Sequence, residues 1–276
     1  MGMRITTNVA AINAQRQLVT SQGNIQNSMQ KLSSGHRINK SADDAAGLAI
    51  SENMRSQLRS IAQAKRNAND GISLVQTAEG ALGEITNIST RIRELAVQAS
   101  SDTVGERQRD FINLEVQQLK EEINRIAVTA NWNSIPLLDG NTPAFDIQVG
   151  GNNTADDRIV FDATQNVATL EGLGIAELDF STKEGALESL ALLDASQDSI
   201  SGMRANIGAI QNRLQSTIDT LSISEENVAA ANSRIRDTDI AQVSSELARN
   251  NVMLQAGVAT LTQANQASLL AVKLIG

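Results

Sequence analysis

MRSQLRSIAQAKRNANDGISLVQTAEGALGEITNISTRIREL, residues 54–95, is the stretch whose reading decides the fold. Met54, Leu58, Ile61, Ala64, Ala68, Ile72, Val75, Ala78, Leu82, Ile85, Ile88, Ile92 and Leu95 recur at steps of three or four residues. That spacing keeps them on one side of an α-helix. At about 1.5 Å per residue the segment is roughly 60 Å long, more than a compact domain of this size uses. Its apolar stripe therefore needs other helices laid along it. The reading is a mainly α protein built as a long antiparallel helical rod, a coiled-coil-like bundle, in which the two halves of the chain pair.

Outward from that stretch, the first segment places Ala11, Leu18, Ile25 and Leu32 seven residues apart, with Ile12 and Val19 beside them. This is a heptad seam set among Asn, Gln, Ser and Thr, which bury little surface, so the segment needs a partner. Ser33, Ser34 and Gly35 break it. Ser41, Asp43 and Asp44 then offer acceptors for the free N–H groups at the start of the long helix. After a turn at Ser100–Gly105, a second helical run carries Ile112, Val116, Leu119 and Ile123 on its apolar side and should fold back antiparallel. The period changes at Pro136. Phe145, Ile147 and Val149 alternate with polar residues, GGNNTADD turns, and Arg158 to Phe161 return, which reads as a β-hairpin with a long connection.

Helical period resumes with Ile200, Met203, Ile207, Ile210, Leu214, Thr217, Leu221, Val228 and Ile235. The last piece repeats the design of the first. Ile240, Val243, Leu247, Leu254, Val258, Leu261, Leu269 and Val272 form one stripe among Gln, Asn and Ser. Weak ends thus flank two strong helical stretches and a small β excursion.

Composition removes most chemistries. Of 276 residues one is His, none is Cys or Tyr, one is Trp and four are Phe, so the core must be aliphatic. A lone His36 and the lack of Cys leave no His-metal cluster, no HExxH zinc site, no Ser-His-Asp triad and no thiolate chemistry. The glycines lack a following GK[ST], so no phosphate loop is written. Asp43–Asp44, Glu121–Glu122 and Asp156–Asp157 read as caps and solvated faces, and Trp132 as a plug at the end of a helix pair. The net charge is −8 and uneven: residues 1–40 hold five bases and no acid, whereas residues 137–200 hold twelve acids against Arg158 and Lys183. Basic residues are too few and too dispersed for a nucleic-acid face, and the acidic middle reads as an outer surface. There is no run of 18 apolar residues, and the first twenty residues lack an apolar signal-peptide core. No enzyme, cofactor, metal, nucleic-acid partner or membrane insertion is expected.

The residues also carry a resemblance. KLSSGHRINKSADDAAGLAI (Lys31 to Ile50), RNANDGISLVQTAEGAL (Arg66 to Leu82) and RIRELAVQAS (Arg91 to Ser100) resemble the amino-terminal half of bacterial flagellin. GAIQNRLQSTI (Gly208 to Ile218), SRIRDTDIA (Ser233 to Ala241) and QAGVATLTQANQ (Gln255 to Gln266) resemble its carboxy-terminal half, and FDIQVGG is similar to the family's strand after its second helix. Trp132 and Ser134 stand where the family usually has Phe and Gly, the ending ASLLAVKLIG differs from the commoner one, and the large variable outer domains are missing.

The resemblance implies a non-enzymatic subunit that polymerises into the flagellar filament, extracellular and exported unfolded without a cleaved signal peptide. It implies inner-core helices at 1–41 and 237–276 and outer-core helices at 42–136 and 186–236, with a small β region at 137–185 between them. The self-assembly seam is then Leu18, Ile25, Leu32, Leu247, Leu254 and Leu261. The implied partners are further copies of the chain or other flagellins, an export chaperone, and cap and hook-junction proteins. A last implied partner is the flagellin-sensing Toll-like receptor of animals, met through Arg91, Glu94 and Leu95, with Thr90 where receptor-active members typically carry Gln. Two other roles share parts of this pattern: a hook–filament junction protein, and a helical binding module that does not polymerise.

Overall fold

A computed structural model describes residues 7–273, and for residues 267–273 the backbone alone. The stripe positions Leu269 and Val272 lie outside the described side chains. The chain runs α1 (Val9–Ser34), α2 (Ala45–Ala99), α3 (Glu106–Thr129), β1 (Asn131–Trp132), β2 (Ile135–Pro136), β3 (Phe145–Gln148), β4 (Arg158–Phe161), α4 (Lys183–Arg236) and α5 (Ile240–Lys273). It divides into two compact units, residues 58–226 and residues 1–57 with 227–276; α2 and α4 contribute residues to both.

The decisive stretch lies inside one 55-residue helix, α2. In the unit of residues 58–226 its stripe is the core: Ala68, Val75, Ala78, Leu82, Ile85 and Ile92 are fully buried, with Ile72 and Ile88 partly buried against them. α4 runs antiparallel to α2, fixed by Arg93 Nε to Asp194 at 2.8 Å and Lys65 Nζ to Glu225 at 2.8 Å. Leu193, Ile200, Ile207, Ile210 and Leu214 of α4 close that side of the core. α3 also folds back antiparallel, as its spacing predicts, burying Ile112, Val116 and Ile123. The buried Arg109 fixes that turn, because its guanidinium donates to the Ala99 carbonyl at the end of α2 and to the Ser101 carbonyl in the turn that follows.

The hairpin read at Phe145 is present: β3 pairs antiparallel with β4 in the register Phe145↔Phe161 to Gln148↔Arg158. It seats on α2 at Gly71, where an added Cβ would lie 2.7 Å from Ile147 Cδ1, so a side chain there would push the Ile147 methyl aside. Between β4 and α4 the chain has little regular structure, and α3 anchors it. Asn113 accepts from the Phe180 N–H, and Lys120 donates to the Ala176 carbonyl at 2.6 Å. Burial lowers the Lys120 pKa, an effect that the negative charges of Glu177 and Asp179 partly offset.

One expectation needs correction. The helical run does not continue to Pro136: α3 ends at Thr129, and Asn131–Trp132 pairs with Ile135–Pro136 in a second, two-residue hairpin. Trp132 sits on that hairpin, partly buried against the core. Both residues of its turn are left-handed, Asn133 at φ 49° and Ser134 at φ 66°, the conformation of a type I′ turn that favours Asn-Gly. Ser134→Gly is therefore expected to stabilise this unit by about 0.5 kcal/mol, the relief of left-handed strain exceeding the added chain entropy of glycine. Urea unfolding checks it, and a loss of stability would contradict the turn assignment.

In the other unit α1 and α5 pack along each other. α1 starts at Asn8, whose side chain accepts from the Ala11 N–H, and ends at Gly35 in the left-handed conformation. The linkers after α1 and α4 then meet at an antiparallel bridge, His36↔Asp237, with the Arg37 N–H donating to the Arg236 carbonyl and Thr238 N–H to the Gly35 carbonyl. The two acids expected to cap α2 divide the work. Asp44 accepts from the Gly47 N–H in the first turn, whereas Asp43 reaches back to the N–H groups of Asn39 and Lys40.

Candidate functional site

The paired terminal helices are the place where the sequence pattern and the structure leave most unsatisfied. Their direction is fixed at three points. Asn8 Nδ2 donates to the Ala264 carbonyl at 2.9 Å, Leu18 faces Gly257, and His36 bridges Asp237, so α1 and α5 run antiparallel. All six seam leucines and isoleucines, Leu18, Ile25, Leu32, Leu247, Leu254 and Leu261, fall on the facing sides, and all six are only half-buried.

The positions between them explain why so little is buried. On α1 the alternate seam positions are Ala14, Ser21 and Ser28, and both serines are buried. On α5 they are Asn250, Gly257 and Ala264. With Leu18 level with Gly257, the same antiparallel register sets Ser21 beside Leu254 and Ser28 beside Leu247. Five of the six large residues thus face a small or polar one, and only Leu32 meets another large apolar side chain, the buried Val243. The helices come close, as shown by Leu18 Cδ2 lying 2.8 Å from where a Cβ on Gly257 would be, but few methyl groups meet. A half-buried leucine supplies about 1 kcal/mol at ~25 cal/mol per Å², and ordering each residue costs about as much.

Counting apolar residues missed these alternates because Ala, Ser and Gly carry no apolar signal. Their seven-residue spacing was the only trace. Two stripe positions also move. Val258 and Ile240, read as part of the α5 apolar stripe, are exposed, and Gly257 occupies the facing position beside Val258 instead. Ile12 and Val19 likewise point away from α5, Val19 being 67 % exposed. With Val9 and Met29 on α1, and Val252 (64 % exposed) and Met253 on α5, they leave both helices with apolar residues on their outer faces.

The joint beneath the pair is polar. His36 Nδ1 lies 3.3 Å from Asp237 Oδ1, out of line for a hydrogen bond, while Arg37 donates to the Ile235 carbonyl and Arg236 to Glu52 at 2.6 Å. The N–H groups of Lys40 and Asn39 hold the Asp43 carboxyl below its usual pKa. Its support for the linker is thus complete above the ordinary carboxylate pKa and is lost as pH falls through the lowered one.

The second candidate set lies in the unit of residues 58–226. Arg91 is exposed and ion-paired to Glu94 and, across helices, to Glu115 of α3, both at 3.0 Å; these hydrogen bonds raise its pKa, Glu94 contributing most. Glu115 joins this cluster unannounced by the sequence, since only the fold-back of α3 brings it there. Leu95 is 2 % exposed and belongs to the core, so of the three residues singled out only Arg91 and Glu94 present side chains to solvent.

Residues 5–142 match the family described as the bacterial flagellin N-terminal helical region, and residues 190–273 the bacterial flagellin C-terminal helical region. The chain belongs to the bacterial flagellins. It is 45 % identical to a flagellin of Halalkalibacterium halodurans over 96 % of each chain, and 40 % identical to a flagellin of Bacillus subtilis over 96 % of this chain and 97 % of the other. It is 41 % identical to a flagellar filament core protein of Brachyspira hyodysenteriae over 99 % of this chain and all of that one. The crystal structure of Bacillus cereus flagellin superposes with a TM-score of 0.51 at 30 % identity, covering 60 % of this chain and 94 % of that one. A putative flagellar hook-associated protein from Vibrio parahaemolyticus shares the fold, with a TM-score of 0.59 at 14 % identity over 71 % of this chain and 100 % of that one.

A flagellin is a structural, non-enzymatic subunit of the extracellular flagellar filament, and membership of the family implies self-polymerisation. Among the described residues no helix is long and apolar enough to cross a membrane. Full-length identity to flagellins answers the junction-protein reading, because the likeness to a hook-associated protein extends to the fold alone.

Proposed function

We propose that the α1–α5 pair is the principal self-assembly element of this flagellin, forming the inner core of the filament, with residues 42–136 and 186–236 as outer core and residues 137–185 as an acidic surface segment. One observation carries the reading: among the described residues, apolar side chains on the outer faces of both terminal helices, Val9, Ile12, Val19 and Met29 on one and Val252, Met253 and Val258 on the other, are exposed. A seam of half-buried leucines facing Ser, Asn and Gly is too weak to hold the pair by itself. Neighbouring copies supply the missing cover and the missing stability together.

Seeded polymerisation tests it. Purified chain mixed with filament fragments should pellet as long filaments, whereas Val19→Asp chain should stay in the supernatant because a charge then enters a face buried between copies. Normal pelleting of that variant would remove the outer face of α1 from the interface. An export chaperone for the unpolymerised ends, a cap at the growing tip and hook-junction proteins at the base are the partners such a subunit requires.

A second reading rests on the Arg91 cluster, an exposed guanidinium flanked by two carboxylates. Contact with the animal flagellin-sensing Toll-like receptor would run through Arg91 and Glu94, with Leu95 holding the helix in place from the core. Arg91→Ala monomers should then signal more weakly than wild type in reporter cells, and equal signalling would remove Arg91 from the contact.

A further inference from the structure

The largest exposed apolar side chains outside the terminal helices form a short row on α3. Phe111 is 64 % and Leu114 65 % exposed, whereas Phe161 and Phe180 are fully buried and Phe145 is partly buried. An aromatic-poor chain thus places one of its four phenylalanines in solvent. The row continues at helical spacing with exposed Arg107 before it and exposed Gln118 after it. A different surface, on α4, offers a counterpart: exposed Glu184, Leu187, Glu188, Ala191 and Ala195, two acids flanking an exposed leucine at one end and low alanines at the other. Among the described residues, neither Arg107 nor Glu184 nor Glu188 has an ion-pair partner.

We infer that these two faces are the two sides of one contact between copies, with the α3 row of one subunit seated on the α4 face of the next. The spacing matches. With Arg107 level with Glu184, one constant offset sets Phe111 beside Glu188 and Leu187, Leu114 beside Ala191, and Gln118 beside Ala195. Leu114 then meets the low position at Ala191, the Phe111 ring lies on exposed Leu187 and the aliphatic stem of Glu188, and the row's cation meets the acidic end of the α4 face.

Polarity agrees as well. α3 and α4 both run antiparallel to α2, as Arg91–Glu115 and Arg93–Asp194 fix, so they point the same way within the unit. The screw operation that relates neighbours in a helical polymer preserves each helix's direction along the filament axis, so with the rods laid along that axis α3 of one copy and α4 of the next lie parallel. That is the orientation the charge match requires. Two unlike faces make a heterologous contact, which propagates into an open polymer when its rotation does not close a ring, where a self-complementary patch would close into a dimer. A small apolar centre rimmed by charge is also the composition of a protein–protein contact.

This rests on the polymerisation reading above, and the test separates the two. The chain has no cysteine, so Gln118→Cys and Ala195→Cys chains, each altered at one exposed position, can be mixed, co-polymerised and bridged with a short bismaleimide. The expected result is a heterodimer of the two variants on a denaturing gel from pelleted filaments, absent from the unpolymerised mixture. Filaments that pellet normally without that adduct, or an adduct equally strong before assembly, would overturn the contact and leave polymerisation standing. Failure of wild-type chain to pellet would overturn both.

As a second arm, Arg107→Glu should raise the critical concentration about fivefold, the size expected of a rim ion pair turned repulsive. Adding Glu184→Arg and Glu188→Arg to the same chain should restore it. A further loss in the triple variant would contradict the pairing.

Discussion

Leu261→Asp chain remains in the supernatant at concentrations where wild type polymerises, while the unit of residues 58–226 unfolds at an unchanged urea midpoint. Leu261 is on the face of α5 turned to α1 and is half-buried there in the single chain. In the filament the remaining half is covered by neighbours on the assembly reading above. A carboxylate held without a partner at such a position costs about 3 kcal/mol. Each subunit added to a polymer meets that cost again, so the critical concentration rises by about 100-fold or more at 1.4 kcal/mol per factor of ten. The midpoint of residues 58–226 does not follow, because Leu261 belongs to the other unit. Filaments of normal yield from this variant would refute the seam, and a lowered midpoint would refute the division into two units.

Leu82→Ala has the reverse pattern. Leu82 is fully buried on the α2 stripe, within the core that α2 shares with α4 and the hairpin. Removing three heavy atoms from a close-packed site costs the lost transfer energy plus the cavity left behind, about 3 kcal/mol for a leucine this deep. With an m-value of about 2.5 kcal/mol per molar urea, the midpoint of residues 58–226 falls by about 1.2 M. Assembly at low temperature persists, because no assembly residue is touched. A loss under 0.5 kcal/mol would show that the stripe is not the core.

The α2 stripe was legible in the sequence because nearly all of its positions are apolar and the period never breaks, although Ser89, fully buried between Ile85 and Ile92, carries no apolar signal. The β3–β4 hairpin was legible for the same reason at period two. The seam between α1 and α5 was legible only by half. Leu18, Ile25, Leu32, Leu247, Leu254 and Leu261 stand out, whereas Ser21, Ser28 and Gly257, which set how closely and how weakly the helices meet, are types usually read as surface or turn. Val258 was read into the stripe because counting favours the larger of two adjacent residues, and close approach at Leu18 requires the smaller. The β1–β2 turn escaped because Asn133-Ser134 lacks the glycine that marks such turns. Glu115 beside Arg91 and the exposed row of Phe111 and Leu114 depend on how α3 folds back, which no local pattern in the sequence encodes.

Hydrogen exchange by mass spectrometry on monomer and on pelleted filament tests the central claim, that the terminal helices gain their stability from other copies. Peptides from α1 and α5 should exchange rapidly in the monomer and become strongly protected in the filament, while α2 peptides within residues 58–99 should be protected in both. Equal protection of α1 and α5 in the two states would contradict the claim, because the pair would then be stable without its neighbours.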